Sequence, residues 1–528
     1  MIPKRTKKIG LHHQSSLMLT RRPRIPNVKF AEQVLPYLQK RPLVQVAASG
    51  YQYISTTALR VPTTGVKARI AHSVGIRTAA KLYPRSVANM DTNILAVDPQ
   101  KLGRISFTET KTDLIEEWDI EYAEGTAYQS LKRAADELVN TDIPVAFPTE
   151  TVYGLGADAT RSTAVKAIFA AKGRPADNPL IVHVHSLPQL RELLSGKAAS
   201  QTDSDPIPAI YRPLIERFWP GPLTLIMPVP ANTTLAPEVT AGLSTFGARM
   251  PRSILALSLL RLCGRPLAGP SANASTRPSP TAAEHVFDDL QGRIHTIVDG
   301  GPCEVGVEST VVDGLSSPPS ILRPGGVTVE QLRQCPGWEH VAIGYKDKQE
   351  ATASRPRAPG MKYRHYSPKA EVLLFEAGAA KPAPEELARK SSIGIIRTTS
   401  WEPALGLVDN TAGDAATNGH ANGPSRPHTT PSLPTATPSR LSNLLRSVIQ
   451  HQIPHAHHHV LASRATDVWD IALGAETEGV ARGLFSALRE LDKKGVELIF
   501  VEGIDDTTGD DIAAAVMNRL RKAAEIRT

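Results

Sequence analysis

Downstream of Ile94 the apolar positions fall into two rhythms. From Tyr128 to Asn140 (YQSLKRAADELVN) they recur three and four residues apart, the spacing of one helix face, and the apolar run Ile143 to Phe147 that follows has the length of a buried strand. Arg161 to Ala171 repeats the helical spacing, with Ser162 or Thr163 placed to cap its start and Gly173 to stop it. Leu180 to Val184 reads as another strand. Further on, strands near Leu223–Pro228, Thr296–Val298 and Ser309–Val312 alternate with helices at Ile254–Cys263 and Ala282–Asp289. Apolar strands separated by helices predict an α/β domain with a largely buried sheet, spanning residues 91–345. The polar stretch Ser195 to Pro208 reads as a loop insertion in it.

Residues 346–369 form a polar, basic connector. After it, Glu371–Phe375 and Ser392–Arg397 begin a second α/β unit, 370–528, completed by helices at Leu441–Gln450, Glu478–Lys493 and Asp511–Ala524 and a strand at Val496–Val501. The unit is interrupted at 409–439 by a Thr-, Pro-, Ala-, Asn- and Gly-rich tract, expected to be disordered because it has too few large apolar residues to offset the entropy of ordering. No internal repeat of solenoid period is present.

Composition narrows the function classes. No apolar run approaches the roughly 18 residues of a membrane span, and the three cysteines, Cys263, Cys303 and Cys335, lack the close spacing of zinc or redox motifs. The formal net charge of +8 divides unevenly: residues 1–90 hold 16 Lys and Arg against one acid, Glu32, and residues 91–528 hold 44 basic against 51 acidic side chains. The body, at −7, argues against strong non-specific binding to nucleic acid, which needs many phosphate contacts. The basic leader is compatible with an organellar transit segment, a disordered tail, or an over-extended start with Met90 as the first residue.

Several loops carry candidate chemistry. Gly154-x-Gly156-x-x-Ala159 matches a permitted form of the dinucleotide fingerprint, but six residues separate it from the preceding strand and no acid ends a second strand about 20 residues on. Lys172-Gly-Arg174-Pro-Ala-Asp-Asn178-Pro179 follows a helix. Lys172 can simply complement the helix dipole, whereas Arg174 and Asn178 on a proline-bounded loop suit a polyphosphate. His183, inside an apolar strand, is either a core histidine or a ligand contact, and Arg249 either a structural ion pair or a carboxylate clamp. Ser271, Asn273, Ser275, Ser279 and Thr281 serve equally as turn and cap residues or as an anion-binding surface. Arg323 ends a strand before a glycine pair, a position that faces a crevice. Ser309 has no neighbouring histidine, which makes a serine hydrolase a poor fit. His451, His455 and His457–His459 lack a second ligand cluster and read as a solvated polar run.

Taken in order, PTETVYGLGADA, KGRPADNPLIVHV, WPGPLT, ARMP, PSAN, RPSPT, GVEST and LRPGG resemble the signature blocks of YrdC-like threonylcarbamoyl-AMP synthases. APGMKYRHYSP, ELDKKGV and AVMNRLRKAA resemble the long, two-domain form of that family. The resemblance implies a YrdC-like twisted α/β domain followed by a smaller Rossmann-like α/β domain. It also implies synthesis of threonylcarbamoyl-adenylate and pyrophosphate from L-threonine, bicarbonate and ATP, for tRNA modification beside the anticodon. By resemblance Lys172, Arg174, Asn178, Ser271, Ser279 and Arg323 hold the nucleotide, with Thr245 and Asn273 beside it, and Lys172 and Arg174 act in catalysis. Thr151, His183, Arg249 and Ser309 hold threonine or its carbamate, and Tyr366 in the connector closes over the nucleotide as a lid. Mg2+ is expected to arrive on the phosphates, with no protein metal site. A downstream threonylcarbamoyl transferase complex is the expected partner, with weak binding to tRNA or double-stranded RNA, no membrane, and a cytoplasmic, additionally mitochondrial, address. Gly269 stands where the family usually has Ala. The rivals are an RNA-binding YrdC-like module without synthase activity and a carbamoyl-transfer maturation enzyme, the latter requiring zinc cysteines that this chain lacks.

Overall fold

The computed structural model describes residues 90–107, 114–196, 204–345, 365–387, 390–407, 454–461, 466–507 and 511–528. Nearly all of the basic leader, the tract 409–439 and the helix expected at Leu441–Gln450 lie outside them, as do 346–364 of the connector and 197–203 of the loop insertion.

Two sheets organise the described chain. The strands before the connector are β1 (Asn93–Ala96), β2 (Gly103–Phe107), β3 (Trp118–Tyr122), β4 (Val145–Pro148), β5 (Tyr153–Asp158), β6 (Ile181–His183) and β7 (Leu223–Pro228). They continue with β8 (Thr245–Arg249), β9 (Leu267–Ala268), β10 (Thr296–Asp299), β11 (Thr310–Asp313), β12 (Ser320–Arg323) and β13 (Ala342–Ile343). Eleven of these form one mixed sheet, in the order β1-β10-β4-β5-β9-β6-β8-β7-β11-β12-β13, and β2 and β3 pair as a separate hairpin. The inner strands of the large sheet, such as β4, β5, β6 and β11, are buried along their whole length, which explains why they read as continuous apolar runs rather than alternating ones.

After the connector come β14 (Glu371–Phe375), β15 (Ser392–Arg397), β16 (His457–Leu461), β17 (Thr466–Ala472), β18 (Leu498–Glu502) and β19 (Ile526–Arg527). They form a six-stranded sheet in the order β16-β17-β15-β18-β14-β19, parallel apart from the antiparallel edge β16. The long amphipathic helix Thr477–Lys493 and the helix Asp511–Ala523 carry its apolar cover. That cover is continuous with the first sheet's surroundings, because Val152, Val307 and Tyr366 belong to the same core cluster as Val480, Leu484 and Phe485.

Local differences from the sequence reading have physical causes. The Ser162–Lys172 helix has Arg161 rather than Ser162 or Thr163 at its N-cap position, with no side-chain cap, and the Arg161 guanidinium donates instead to the carbonyls of Leu138, Val139 and Thr141 that end the Thr126–Asn140 helix. It stops at Gly173, at φ 62°. Tyr153–Asp158, which holds the fingerprint-like glycines, is a strand and not a phosphate turn. A Cβ on Gly156 would stand 2.7 Å from the Phe147 ring, so this glycine permits the close pairing of β5 on β4. His457–His459 are solvent-facing, with His457 and His458 exposed, but they form part of the edge strand β16, where His458 lies 3.1 Å from Asp467 of β17.

Candidate functional site

The β4–β5 loop, the ends of β6, β8 and β12, the turn after β9 and the entry into β11 converge on one cavity. Thr151, Arg174, His183, Arg249, Ser271, Ser309, Arg323 and Tyr366 all line it, joined by Thr149, Glu308 and His365. Parallel pairing places His183 beside Arg249 at the ends of β6 and β8.

Each wall is built from buried hydrogen bonds. In the β4–β5 loop the Thr149 hydroxyl accepts from the Thr151 and Val152 N–H groups and fixes a tight turn. Arg249 then donates from Nη1 to Thr151 Oγ1 at 3.0 Å, from Nη2 to Glu150 Oε1 at 2.6 Å and from Nε to the Gly221 carbonyl. Burial pushes the Glu150 pKa up, but Arg249 and Arg252 outweigh it and hold the group below the usual carboxylate range. On the opposite wall Arg323 donates from Nε and Nη2 to the Ser309 carbonyl, and from Nη2 to Ser309 Oγ at 3.1 Å. The Ser309 hydroxyl is also 2.8 Å from that of Thr224.

Arg174 lines the cavity and its Nη2 is buried without a hydrogen-bond partner, and burial lowers its pKa to about 10. His183 Nδ1 is likewise buried and unpartnered. Its ring occupies the room left at Gly269, where a Cβ would come within 2.9 Å of Nδ1. Tyr366, at φ 67°, is buried against His365 and Phe485, with ring centroids 4.4 and 5.2 Å away, and burial and Glu308 raise its pKa to about 12.

The remaining expected residues lie elsewhere. Lys172 does not line the cavity: it is 3% exposed, and its ammonium donates to the Ser271 carbonyl, to the Asn273 carbonyl at 2.6 Å and to Asn273 Oδ1 at 3.4 Å. Burial and Arg174 push its pKa well below the lysine range. Asn273 holds the same loop from inside through Nδ2, which donates to the Ala274 and Arg277 carbonyls. Ser279 sits behind the wall and donates to Glu308 Oε1 at 2.5 Å. Asn178 is buried outside the lining, with Oδ1 unpartnered. Thr245, expected beside the nucleotide with Asn273, starts β8 while Arg249 ends it. It lines a separate cavity with Asp313 and Leu322, because four strand residues carry it about 13 Å along the sheet.

Sequence reasoning missed four charged residues. Glu150 and Glu308 stand inside quoted loop motifs, and Arg489 and Arg519 stand on helices of the second unit. Arg489 donates to the Pro278 carbonyl and to Asp289 Oδ2 at 2.8 Å. Arg519 donates from Nε to Glu308 Oε2 at 3.0 Å. The available signal was a charge on an apolar helical stripe, four residues after Phe485 and after Ala515 respectively.

Three imidazoles, His183 and His285 buried and His365 partly buried, are expected to make the protein acid-sensitive. Burial pushes His183, His285 and His365 down to about 3, reinforced by Arg249, Arg489 and Arg174 respectively. Between pH 6.5 and 3 the unfolded chain binds protons that the folded chain does not, so stability falls as pH falls through this window. The loss approaches about 1.4 kcal/mol per pH unit for each histidine. Thermal melts between pH 7.5 and 5 should show a melting temperature that declines below about pH 6.5, and a flat or rising curve would contradict these assignments.

A second cavity opens at the carboxyl ends of β14, β15, β17 and β18. Its nest of backbone N–H groups is already filled: Glu502 accepts from the amides of Thr398, Thr399, Ser400 and Trp401. Among the described residues no group of three His, Cys, Asp or Glu side chains could hold a metal ion, and no helix is long and apolar enough to cross a membrane.

A mixed α/β sheet that brings three arginines to one cavity at its loops is the architecture of an α/β protein suited to binding anions. Residues 137–325 match the Sua5/YciO/YrdC family, described as "Telomere recombination", and residues 327–525 match the threonylcarbamoyl-AMP synthase C-terminal domain. The threonylcarbamoyl-AMP synthase of Schizosaccharomyces pombe is 41% identical over 463 residues, spanning 83% of this chain and 98% of that protein. That of Pyrococcus abyssi is 38% identical, spanning 78% and 96%. The crystal structure of P. abyssi Sua5 complexed with L-threonine superposes with a TM-score of 0.56 at 34% identity, covering 83% of this chain and all of that one. The chain belongs to the threonylcarbamoyl-AMP synthase family, nucleotidyltransferase-type enzymes that make L-threonylcarbamoyladenylate.

Proposed function

We propose that this cavity binds L-threonine on the Thr151, His183, Arg249 and Ser309 side and the nucleotide on the Arg174, Ser271, Arg323 and Tyr366 side. The convergence of Arg174, Arg249 and Arg323 on one small cavity, against Glu308 as its lining carboxylate, carries this assignment. The threonine amine condenses with bicarbonate and releases water. A carbamate oxygen then bonds to the α-phosphorus of ATP while the bond to the bridging oxygen breaks, and pyrophosphate leaves. Both partners are anions, so the site must neutralise charge and hold them in line.

Arg249, seated on Glu150 and Thr151, presents its fork to the threonine carboxylate. Neutral His183 offers the unpartnered Nδ1 to the amine or carbamate. Arg174, with a buried unpartnered Nη2, and Arg323 take phosphate oxygens. Lys172, Asn273 and Ser279 act from behind the cavity by fixing the loops, and Asn178, with its unpartnered Oδ1, backs the Arg174 loop. No covalent nucleophile is needed, because the carbamate is one. Glu308 is engaged by Ser279 and Arg519, which fits a Mg2+ carried in by the nucleotide and held by phosphates and water rather than by a protein cage. The product is chemically an activated acyl donor, which requires a downstream transferase acting on tRNA adenosine.

Pyrophosphate release measured with ATP, bicarbonate and threonine, each omitted in turn, tests the reading. Release is expected to need all three. Turnover that persists without threonine would overturn it.

A further inference from the structure

The first unit's cavity is closed from behind by the second unit. Arg519, on the Asp511–Ala523 helix, is fully buried. Its Nε donates to Glu308 Oε2 at 3.0 Å, and its Nη1 to the Pro324 carbonyl at 2.6 Å and the Ala515 carbonyl at 3.2 Å. Glu308 immediately precedes Ser309 and Pro324 immediately follows Arg323, and both Ser309 and Arg323 line the cavity. One planar guanidinium therefore bridges the two peptide segments that present them. The segments are pressed together as well, since a Cβ on Gly325 would fall 2.3 Å from the Glu308 carbonyl oxygen. The other Glu308 oxygen holds Ser279.

We infer that Arg519 is a positioning residue for the nucleotide half of the site: by engaging Glu308 and Pro324 it keeps Glu308 from capturing Arg323, so the cavity is complete only with the second unit's last helix in place. The inference rests on the nucleotide assignment above. Glu308 is faced by Arg519 from that helix, by Arg323 from β12, by Ser279 from the turn after β9, and by Tyr366 and His365 from the connector. With Arg519 gone, Arg323 is the remaining strong partner for a buried carboxylate, and the fork intended for phosphate turns inward.

The test uses the full chain with Arg519→Met, Arg519→Lys and the double variant Glu308→Gln/Arg519→Met. ATP binding is titrated calorimetrically, threonine-dependent pyrophosphate release is followed with each substrate varied, and thermal melts report folding. Arg519→Met is expected to weaken ATP binding about 10–100-fold, the range typical of a lost supporting partner, while the KM for threonine moves much less. The double variant should recover much of the lost ATP affinity, and Arg519→Lys, which keeps the charge but not the fork to Pro324, should fall between wild type and Arg519→Met. A folded Arg519→Met with unchanged ATP affinity, or a double variant no better than the single one, overturns the inference. If Arg519→Met does not fold, Arg519→Lys decides by the same titration: weakened ATP binding supports the inference and unchanged binding overturns it. Wild-type protein that binds no ATP would instead overturn the parent assignment, and this inference with it.

Discussion

Replacing Arg249 by alanine is expected to cost about 3–5 kcal/mol of folding stability, the range for breaking a buried ion pair from one side, together with threonine-dependent turnover. The Arg249 and Glu150 side chains are 4% and 0% exposed and 2.6 Å apart, so nothing from solvent replaces the lost guanidinium. Glu150 would keep its Arg252 neighbours, an amide 3.1 Å from Oε2 and a more distant charge, and burial would then drive it towards protonation. Thr151 loses the donor that orients its hydroxyl as well. Denaturant unfolding of Arg249→Ala, Glu150→Gln and a Glu150→Gln/Arg249→Met pair separates the two roles. The pair should recover much of the stability, since no carboxylate is stranded, and none of the turnover. An Arg249→Ala protein as stable as wild type would show that the buried pair is not formed, and full turnover would remove Arg249 from the threonine site.

Arg174→Ala should behave differently. The side chain lines the cavity and its Nη2 has no hydrogen-bond partner, so truncation strands no buried acid and the melting temperature should move little. Turnover should fall by about 10²–10³-fold, the usual consequence of removing one preorganised donor from a developing charge. Pyrophosphate release and a melt on the same preparation check both halves. Wild-type turnover, or a loss that follows unfolding, would reject Arg174 as a phosphate contact. The contrast matters because Arg174 and Arg249 read alike in the sequence, each an arginine in a turn-bounded motif. Only their buried surroundings distinguish a guanidinium that supports the fold as well as a ligand from one that serves the ligand alone.

Elements with a clean apolar rhythm were legible almost to the residue. Glu371–Phe375, Ser392–Arg397 and Ile254–Cys263 have the expected bounds, and the amphipathic helix Thr477–Lys493 differs by one residue. β5 was not legible. Tyr153-Gly-Leu-Gly-Ala-Asp has the glycines of a turn, and its strand conformation depends on the Phe147 ring that fills their missing side chains. β16 was read as solvated polar chain because three histidines carry no apolar alternation, yet edge pairing with β17 needs only backbone. Arg161 at the N-cap position of one helix and as the anchor of another's end was hidden as well, since the expected Ser162 cap is the residue type that local propensity favours.

The sequence by itself determined the α/β class, the order of the two units and the loop motifs that meet at the cavity, because these reside in local periodicity and in contiguous residues. Tertiary structure alone decided which of those residues face the cavity and which stand behind it: Thr151, Arg174, His183 and Arg249 in front, Lys172, Asn273 and Ser279 behind, Thr245 elsewhere. It also decided the pairs Glu150 with Arg249, Glu308 with Arg519 and Asp289 with Arg489, separated by 99, 211 and 200 residues. A charge in a sequence does not name its partner, since what makes burial tolerable is a counter-charge brought near by the packing of distant elements.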